Sequence, residues 1–120
     1  MAKVKSPYIG SEVKINVNIE PLKANIGKDN ERDITMAEYD FSCEFFTNDN
    51  YKMLVDKTEM LPYDENNYIA KLDTTKLVYE GYINVLVTAH IPDDDFADGL
   101  RTEKILIITD QYIYNELFSF

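Results

Sequence analysis

Apolar and polar side chains alternate with a two-residue period over much of the chain, and this feature constrains the fold most. The alternation is clearest at residues 83–91 and recurs at residues 13–19 and 39–45. Successive side chains of a β-strand point to opposite faces, so this period places the apolar side chains on one face. The pattern therefore predicts strands with one buried face.

Shorter alternating segments predict further strands at residues 51–55 and 68–72, and the segment 102–109 predicts a last long one. The last segment contains Ile105-Leu106-Ile107-Ile108, which is apolar on both faces and predicts a central or covered strand. No amphipathic helical segment of ten or more residues competes with these strands. The fold class expected is all-β, a single antiparallel β-sandwich of immunoglobulin-like type with about seven strands.

The length of 120 residues allows one domain. We expect an N-terminal arm at 1–12, the β-sandwich at 13–111, and an aromatic C-terminal tail or last strand at 112–120. Residues 22–37 lose the alternation and are rich in polar and turn-forming residues, which predicts a long exposed loop. Residues 56–62 have a weak pattern that fits either a turn or a single helical turn.

Charge excludes two classes of partner. The chain has 12 Lys and Arg against 22 Asp and Glu, a net charge of -10, which repels phosphate backbones and anionic lipid heads. Apolar runs stay far below the roughly 18 residues of a membrane span. Residues 1–7 lack the apolar region of a signal peptide. We therefore expect no nucleic-acid partner, no membrane partner, no signal peptide, and a cytoplasm-like compartment or assembly there into a larger particle.

Catalytic chemistry has few candidates, since His90 and Cys43 are the single histidine and the single cysteine. His90 falls on the polar face of its strand, which is typical of a surface or interface histidine. Cys43 falls in an aromatic stripe between Asp40 and Glu44, which favours a small core residue over a reactive thiol. A structural zinc site needs four Cys or His ligands. The sequence thus predicts no enzyme, no cofactor and no zinc site.

The acidic segment 93–99 allows a second interpretation as a metal site. Its four aspartates within six residues resemble a hard-cation loop, with Asp93, Asp95 and Asp98 as candidate calcium ligands. The spacing of an EF-hand fails, because Lys104 and Ile105 stand where the twelfth-position glutamate would be.

The favoured interpretation of this segment is a structural turn. In it, aspartate side chains accept hydrogen bonds from nearby backbone N–H groups and Phe96 points inward. Gly99 then supplies an unusual backbone angle, and Arg101 pairs with a carboxylate.

The segments 39–47, 68–74 and 89–103, with Gly81, together resemble a small immunoglobulin-like module of tailed-phage structural proteins, crAss-like gut phages included. Capsid auxiliary, head-fibre and baseplate-adaptor proteins are of this type. The resemblance spans residues 39–110, and its most specific part is Ile-Pro-Asp-x-Asp-Phe-x-Asp-Gly-x-Arg-Thr-Glu at 91–103. Asp110 and His90 depart from the pattern, since a turn glycine and a tyrosine-like residue are expected there. The resemblance implies a virion component without catalytic residues, assembled in the host cytoplasm.

The function expected on this basis is that of a non-enzymatic auxiliary, decoration or fibre-attachment protein on the capsid surface. A baseplate or tail-fibre adaptor is one alternative. A carbohydrate-binding β-sandwich is another, because the nine tyrosines could supply stacking faces. The partners expected are capsid or other virion structural proteins, and open sheet edges also allow self-association.

The two ends of the chain supply candidate contact residues. Apolar and aromatic residues are unusually dense at 112–120, where chain ends are commonly polar. One interpretation is a last strand packed on the core. The hypothesis preferred is a contact with the capsid or a neighbouring copy, in which the basic arm opposes an acidic partner; the residues proposed for it are Leu117, Phe118 and Phe120 with Lys3, Lys5 and Tyr8.

Overall fold

The computed structural model describes residues 12–48, 51–74 and 80–114. These residues form nine β-strands and one 3₁₀ turn, so the predicted all-β class is confirmed and the strand number exceeds the seven expected. The strands are β1 (Glu12–Asn18), β2 (Leu22–Ala24), β3 (Arg32–Ile34), β4 (Asp40–Asn48), β5 (Tyr51–Asp56), β6 (Leu61–Asp64), β7 (Asn67–Asp73), β8 (Gly81–Pro92) and β9 (Leu100–Ile113).

The strands form two main sheets in which every neighbouring pair is antiparallel. One sheet has the order β1-β7-β6, and the other has the order β5-β4-β8-β9. These are the orders that strands B-E-D and C′-C-F-G take in immunoglobulin-type sandwiches. A short hairpin, β2-β3, completes the described part of the chain.

The inner faces of both sheets contribute to one hydrophobic core. Phe41 on β4 is 2% exposed, and its ring packs edge-on against Tyr68 on β7 with 5.3 Å between the ring centres. Cys43 on β4 places its Sγ 4.0 Å from the Sδ of Met60, which precedes β6. Contacts of this kind between the sheets explain why the alternating positions of β1, β4, β7 and β8 are buried.

The prediction of a long exposed loop at 22–37 is wrong. Part of this region pairs as the β2-β3 hairpin, and Ala24, Ile34 and Met36 are fully buried in the core. The apolar residues are too widely spaced to produce a period. They are buried because the hairpin packs on the end of β8, where the Asn25 amide donates to the Pro92 carbonyl at 3.0 Å.

The expectation that the 102–109 strand is central or covered is also wrong. Among the described strands, β9 lies at the edge of its sheet, and Leu106 and Ile108 are 61% and 70% exposed. Ile105 and Ile107 on the other face are only partly buried against the core. Periodicity reports which faces of a strand are apolar, but it carries no information on the number of neighbouring strands.

Residues 56–62 contain a 3₁₀ turn at Lys57–Glu59, which agrees with the second of the two structures predicted for this segment, a single helical turn. The Lys57 ammonium donates to the carbonyls of Ala37 and Tyr39 at 3.2 and 2.7 Å, which ties this turn to the start of β4.

The strand β9 continues past residue 111, and Ile113 is fully buried. Among the described residues, no helix has the length and apolar character needed to cross a membrane.

Candidate interaction surface

The acidic segment between β8 and β9 folds as a tight turn held by its own backbone. The Asp93 amide donates to the Gly99 carbonyl at 2.9 Å, and Gly99 has a φ of 75°, in the left-handed region that favours glycine. Two carboxylates accept from backbone amides, Asp93 from Asp95 at 3.0 Å and Asp98 from Leu100 at 3.1 Å. The predicted role of the aspartates and Gly99 in a structural turn is confirmed.

Asp93 is the centre of a buried charge cluster. Its residue is 3% exposed, and its carboxylate binds the Arg101 guanidinium at 2.8 Å and also the Lys28 ammonium. The hydrogen bond from Lys28, followed by that from the Asp95 backbone, lowers the pKa of Asp93 to about 2. Arg101 also contacts Glu103 at 2.7 Å. The predicted pairing of Arg101 with a carboxylate is therefore confirmed.

The cluster joins the acidic turn to the β2-β3 hairpin. Arg101 donates to the Lys23 carbonyl at 2.8 Å, and the Asp94 amide donates to the Asn25 side chain at 2.9 Å. Sequence reasoning missed Lys28, because it lies in the segment assigned to an exposed loop and is 65 residues from Asp93. The surplus of acidic residues at 93–98 was the available signal, since buried carboxylates need cations.

The calcium alternative finds little support in this geometry. Asp93 is held between two cations, Asp95 lies 3.1 Å from Lys28, and Asp98 accepts from the backbone of Leu100. Within residues 12–48, 51–74 and 80–114, no group of three His, Cys, Asp or Glu side chains is placed to hold a metal ion. The carboxylates of the turn thus serve protein cations and amides.

The expectation that Phe96 points inward is wrong, because this residue is 46% exposed. The turn closes through backbone hydrogen bonds between Asp93, Phe96 and Gly99. Its inner side is occupied by the buried Asp93 and by the Lys28 and Arg101 side chains that neutralise it. The aromatic ring therefore remains on the solvent side.

His90 and Cys43 lie on opposite faces of the four-stranded sheet. Cys43 is fully buried on the inner face, and burial raises the pKa of its thiol to about 12. His90 lies on the outer face opposite Asp40, beside a shallow cleft of about 290 Å³ that Ser42 and Lys57 also line. The thiol and the imidazole cannot act together, because the sheet separates them.

Exposed apolar side chains cross the outer face of the four-stranded sheet. The strand register places Leu54, Glu44, Leu86 and Leu106 in one row, from β5 to β9. Leu54 is 62% exposed and Leu106 is 61% exposed, and Ile108 of the next row is 70% exposed. We refer to Leu54, Leu86, Leu106 and Ile108 as the apolar face. Leu86 is half-buried, and Glu44 separates it from Leu54, so one carboxylate interrupts the face. An exposed apolar patch is typical of a protein contact surface.

The outer face of the three-stranded sheet is polar along β1, and its apolar part is a single pair, Leu61 of β6, which is 50% exposed, beside the half-buried Ile69 of β7. Lys14, Asn16 and Asn18 occupy the exposed positions of β1. The Asn67 side chain on β7 accepts hydrogen bonds from Asn16 and Asn18 at 3.0 and 2.8 Å. Asparagine amides bonded across the strands satisfy each other and the solvent, so the β1 side of this face has the chemistry of a solvated surface.

Three tyrosines form a cluster at one end of the four-stranded sheet. The ring centres of Tyr82 and Tyr112 are 4.9 Å apart at an angle of 87°, and those of Tyr112 and Tyr114 are 4.7 Å apart. Tyr82 is 54% exposed, and Tyr114 is 40% exposed. Aromatic side chains that are this accessible can bind a protein or a sugar.

The contact residues predicted at the chain ends lie outside the described residues; they are Lys3, Lys5, Tyr8, Leu117, Phe118 and Phe120. Sequence reasoning missed the apolar face. The signal available for it was the placement of Leu54, Leu86, Leu106 and Ile108 on the face opposite the buried positions of their strands. On the outward-facing positions of their strands, Leu54 lies between Lys52 and Asp56, and Leu86 lies between Asn84 and Thr88. Outside β9, the patch therefore emerges only from the register between strands.

Comparisons of the chain with protein-family models, with curated proteins and with solved structures gave no match. The fold and the geometry of its surfaces are therefore what bears on function.

Proposed function

We propose that the protein is a non-enzymatic structural module of a phage particle that acts by binding other virion proteins. The specific role proposed is that of an auxiliary, decoration or fibre-attachment protein on the capsid surface. The single observation that carries the protein-binding role is the apolar face of the four-stranded sheet, with Leu54, Leu106 and Ile108 each more than half exposed. The virion assignment rests on the resemblance of residues 39–110 to phage structural modules.

The apolar face favours burial against another protein. Covering a leucine or isoleucine side chain contributes roughly 1.5–3 kcal/mol, which is the main driving force of protein association. The strand register places Leu54, Leu86 and Leu106 in one row and Ile108 in the next. A partner surface that covers all four side chains also covers Glu44, which lies between Leu54 and Leu86. A partner protein that covers the apolar face is expected to have an apolar patch of its own.

Net charge restricts this occupant further. The chain has a net charge of -10, so an acidic partner is repelled and a neutral or basic one is attracted. The occupant proposed is thus a virion structural protein with an apolar patch in a neutral or basic surround.

The buried charge cluster supports a contact role in a different way. Arg101 and Lys28 hold the acidic turn against the β2-β3 hairpin, so the end of the four-stranded sheet is fixed before any partner binds. A surface already ordered loses less conformational entropy on association. The cluster is therefore assigned the role of keeping the module rigid.

The test of this proposal is the protein content of purified phage particles. Particles from a lysate that carries the gene are banded in a density gradient, washed at high salt and analysed by quantitative mass spectrometry. The proposal predicts a constant ratio of this protein to the major capsid protein across the band. Recovery only in the unbound fractions would contradict it, and labelling of tails instead of heads by a specific antibody would favour the baseplate or tail-fibre alternative.

A carbohydrate-binding module is the second candidate, and the tyrosine cluster favours it. An exposed ring stacks on the apolar face of a sugar, and Tyr82 offers such a ring. The nearly perpendicular packing of Tyr82 and Tyr112 opposes it, because the two rings cannot form one flat platform.

Titration with a panel of bacterial oligosaccharides distinguishes the two functions. The protein-binding proposal predicts no saturable binding to any sugar. Binding that is lost in Tyr82→Ala and kept in Tyr63→Ala would assign the sugar site to the cluster, since Tyr63 is an exposed tyrosine elsewhere, on β6.

A further inference from the structure

β9 combines the composition of a central strand with the position of an edge strand. Residues 105–108 are all leucine or isoleucine, yet β9 ends the order β5-β4-β8-β9. Within the described part of the chain, no strand pairs with the outer edge of this 14-residue strand. An unpaired edge with apolar side chains is a template for pairing with another strand.

The sequence of β9 is suited to pairing with a second copy of itself. Its outward-facing positions read Lys104, Leu106, Ile108 and Asp110, a basic residue, two apolar residues and an acidic one. Read in the antiparallel direction, the acidic end meets the basic end and the apolar residues meet each other. This arrangement is self-complementary, as a two-fold interface requires.

Only a few registers keep the faces of two such strands aligned. In an antiparallel pair, directly opposed residues place their side chains on the same face of the sheet. The two-fold axis between two copies of β9 must therefore pass beside one residue, which then lies opposite the same residue of the second copy. Centring on Lys104 opposes two lysines, and centring on Leu106 opposes Lys104 to Ile108. Centring on Ile107 opposes Lys104 to Asp110 and Leu106 to Ile108.

We propose that two copies of the protein associate through antiparallel pairing of their β9 edges, with Ile107 at the two-fold axis. The pairing joins two four-stranded sheets into one sheet of eight strands. Each Leu106 then lies beside Ile108 of the second copy, so the two apolar faces become continuous. This inference goes beyond the proposed function, because it concerns the edge of the sheet and holds whatever protein covers the face.

The charges that flank the apolar pair are available for this role. Both Lys104 and Asp110 are exposed, and neither forms an ion pair within the described ranges of the single chain. The pairing of β8 with β9 shifts register between Tyr82 and Asn84, so Asp110 lies in a bulge of the edge. The flexible four-carbon stem of lysine can reach across such an offset.

The test is a charge exchange followed by sedimentation equilibrium of the full chain at physiological salt, up to about 0.5 mM protein. The unmodified protein is expected to form a dimer. Lys104→Glu opposes two pairs of carboxylates and Asp110→Lys opposes two pairs of ammonium groups, so each variant alone should dissociate at least about tenfold more readily. The two variants mixed in equal amounts should form a heterodimer, because both opposed pairs are then attractive.

A cysteine scan checks the register. In the register proposed, Ile107→Cys places two thiols opposite each other at a distance that a disulfide spans, whereas Ile105→Cys does not. Mild oxidation should therefore give a covalent dimer of the Ile107→Cys variant alone. The native Cys43 is fully buried and supplies the background level in the unmodified protein.

Five results would overturn the proposal. Four of them are a monomer at the highest concentration, variants that dimerise as well as the parent, a mixture that stays monomeric, and cross-linking at residue 105 in place of 107. Dimerisation that appears only after deletion of residues 1–11 would also overturn it, because the edge would then be occupied by the start of the same chain. Circular dichroism and melting temperature confirm that each variant is folded.

Discussion

The outer faces of the two sheets differ, although their inner faces are alike. Both sheets bury alternating apolar residues in one core. On the outside, the three-stranded sheet presents hydrogen-bonded asparagines and Lys14 with one apolar pair, Leu61 and Ile69. The four-stranded sheet presents Leu54, Leu106 and Ile108, each more than 60% exposed. An inner face must be apolar for the fold to exist, whereas an outer face is free to vary. The difference between the outer faces therefore carries the functional information.

The largest expected effect concerns the core that the two sheets share. Phe41→Ala removes a buried ring that contacts Tyr68 of the opposite sheet, and it should lower the free energy of unfolding by about 3–5 kcal/mol. Urea denaturation measures this change. A loss below about 1 kcal/mol would mean that the two inner faces do not pack against each other. The sheets would then share no core, and their other faces could not be compared as outer faces of one domain.

The buried charge cluster should show the next largest effect. Arg101→Met removes the guanidinium from Asp93 while it keeps the bulk of the stem, and it should destabilise the fold by about 1–3 kcal/mol. Arg32→Met is the matched control, because Arg32 is exposed and reaches Glu38 only at 3.4 Å. The control should change stability by less than about 0.5 kcal/mol. Equal losses in the two variants would show that the cluster does not fix the end of the four-stranded sheet.

Acid should weaken the same cluster in a defined pH range. The pKa of Asp93 is lowered to about 2 in the folded protein, against about 4 in an unfolded chain. The stability that this carboxylate contributes is therefore complete above about pH 4 and is lost as the pH falls towards 2. The melting temperature of the parent should fall more steeply across this range than that of Asp93→Asn.

Asp29→Asn is the control for this experiment. It removes one negative charge, as Asp93→Asn does, but it leaves the cluster intact because Asp29 is exposed. Between pH 4 and pH 2, the melting temperature of the Asp29→Asn variant should fall as steeply as that of the parent. A parent and an Asp93→Asn variant with equal slopes would contradict the assignment of Asp93 as the charged centre of the cluster.

The smallest effect on stability is expected on the apolar face itself. Leu54→Thr keeps a residue that favours strands and removes only exposed surface, so the free energy of unfolding should change by less than about 0.5 kcal/mol. Chemical denaturation again provides the measurement. A loss of 2 kcal/mol or more would show that Leu54 belongs to the core of the module and not to a contact surface.

Sequence alone predicts the strands with regular alternation, such as β1, β4 and β8, because the period is a local property of the chain. It also predicts the acidic turn and the pairing of Arg101, since a buried carboxylate needs a cation nearby. It fails for the β2-β3 hairpin and for Lys28, whose partners are distant in the chain. The edge position of β9 and the alignment of the apolar face depend on which strands become neighbours, and periodicity does not contain that information.

The central claim is that the protein works through the outer face of the four-stranded sheet and not through that of the three-stranded sheet. A competition experiment tests it: phage particles assemble with equal amounts of tagged parent and variant, and the ratio in purified particles is measured by mass spectrometry. The variant for the four-stranded face is Leu54→Thr with Leu86→Thr, both away from the β9 edge, and the control for the other face is Ile69→Thr on β7.

The account predicts that the Leu54→Thr, Leu86→Thr variant is depleted at least about tenfold relative to the parent, which corresponds to 1.4 kcal/mol of lost contact energy. The Ile69→Thr variant should be incorporated at a ratio close to one. Equal incorporation of all three proteins, or depletion confined to Ile69→Thr, would contradict the claim.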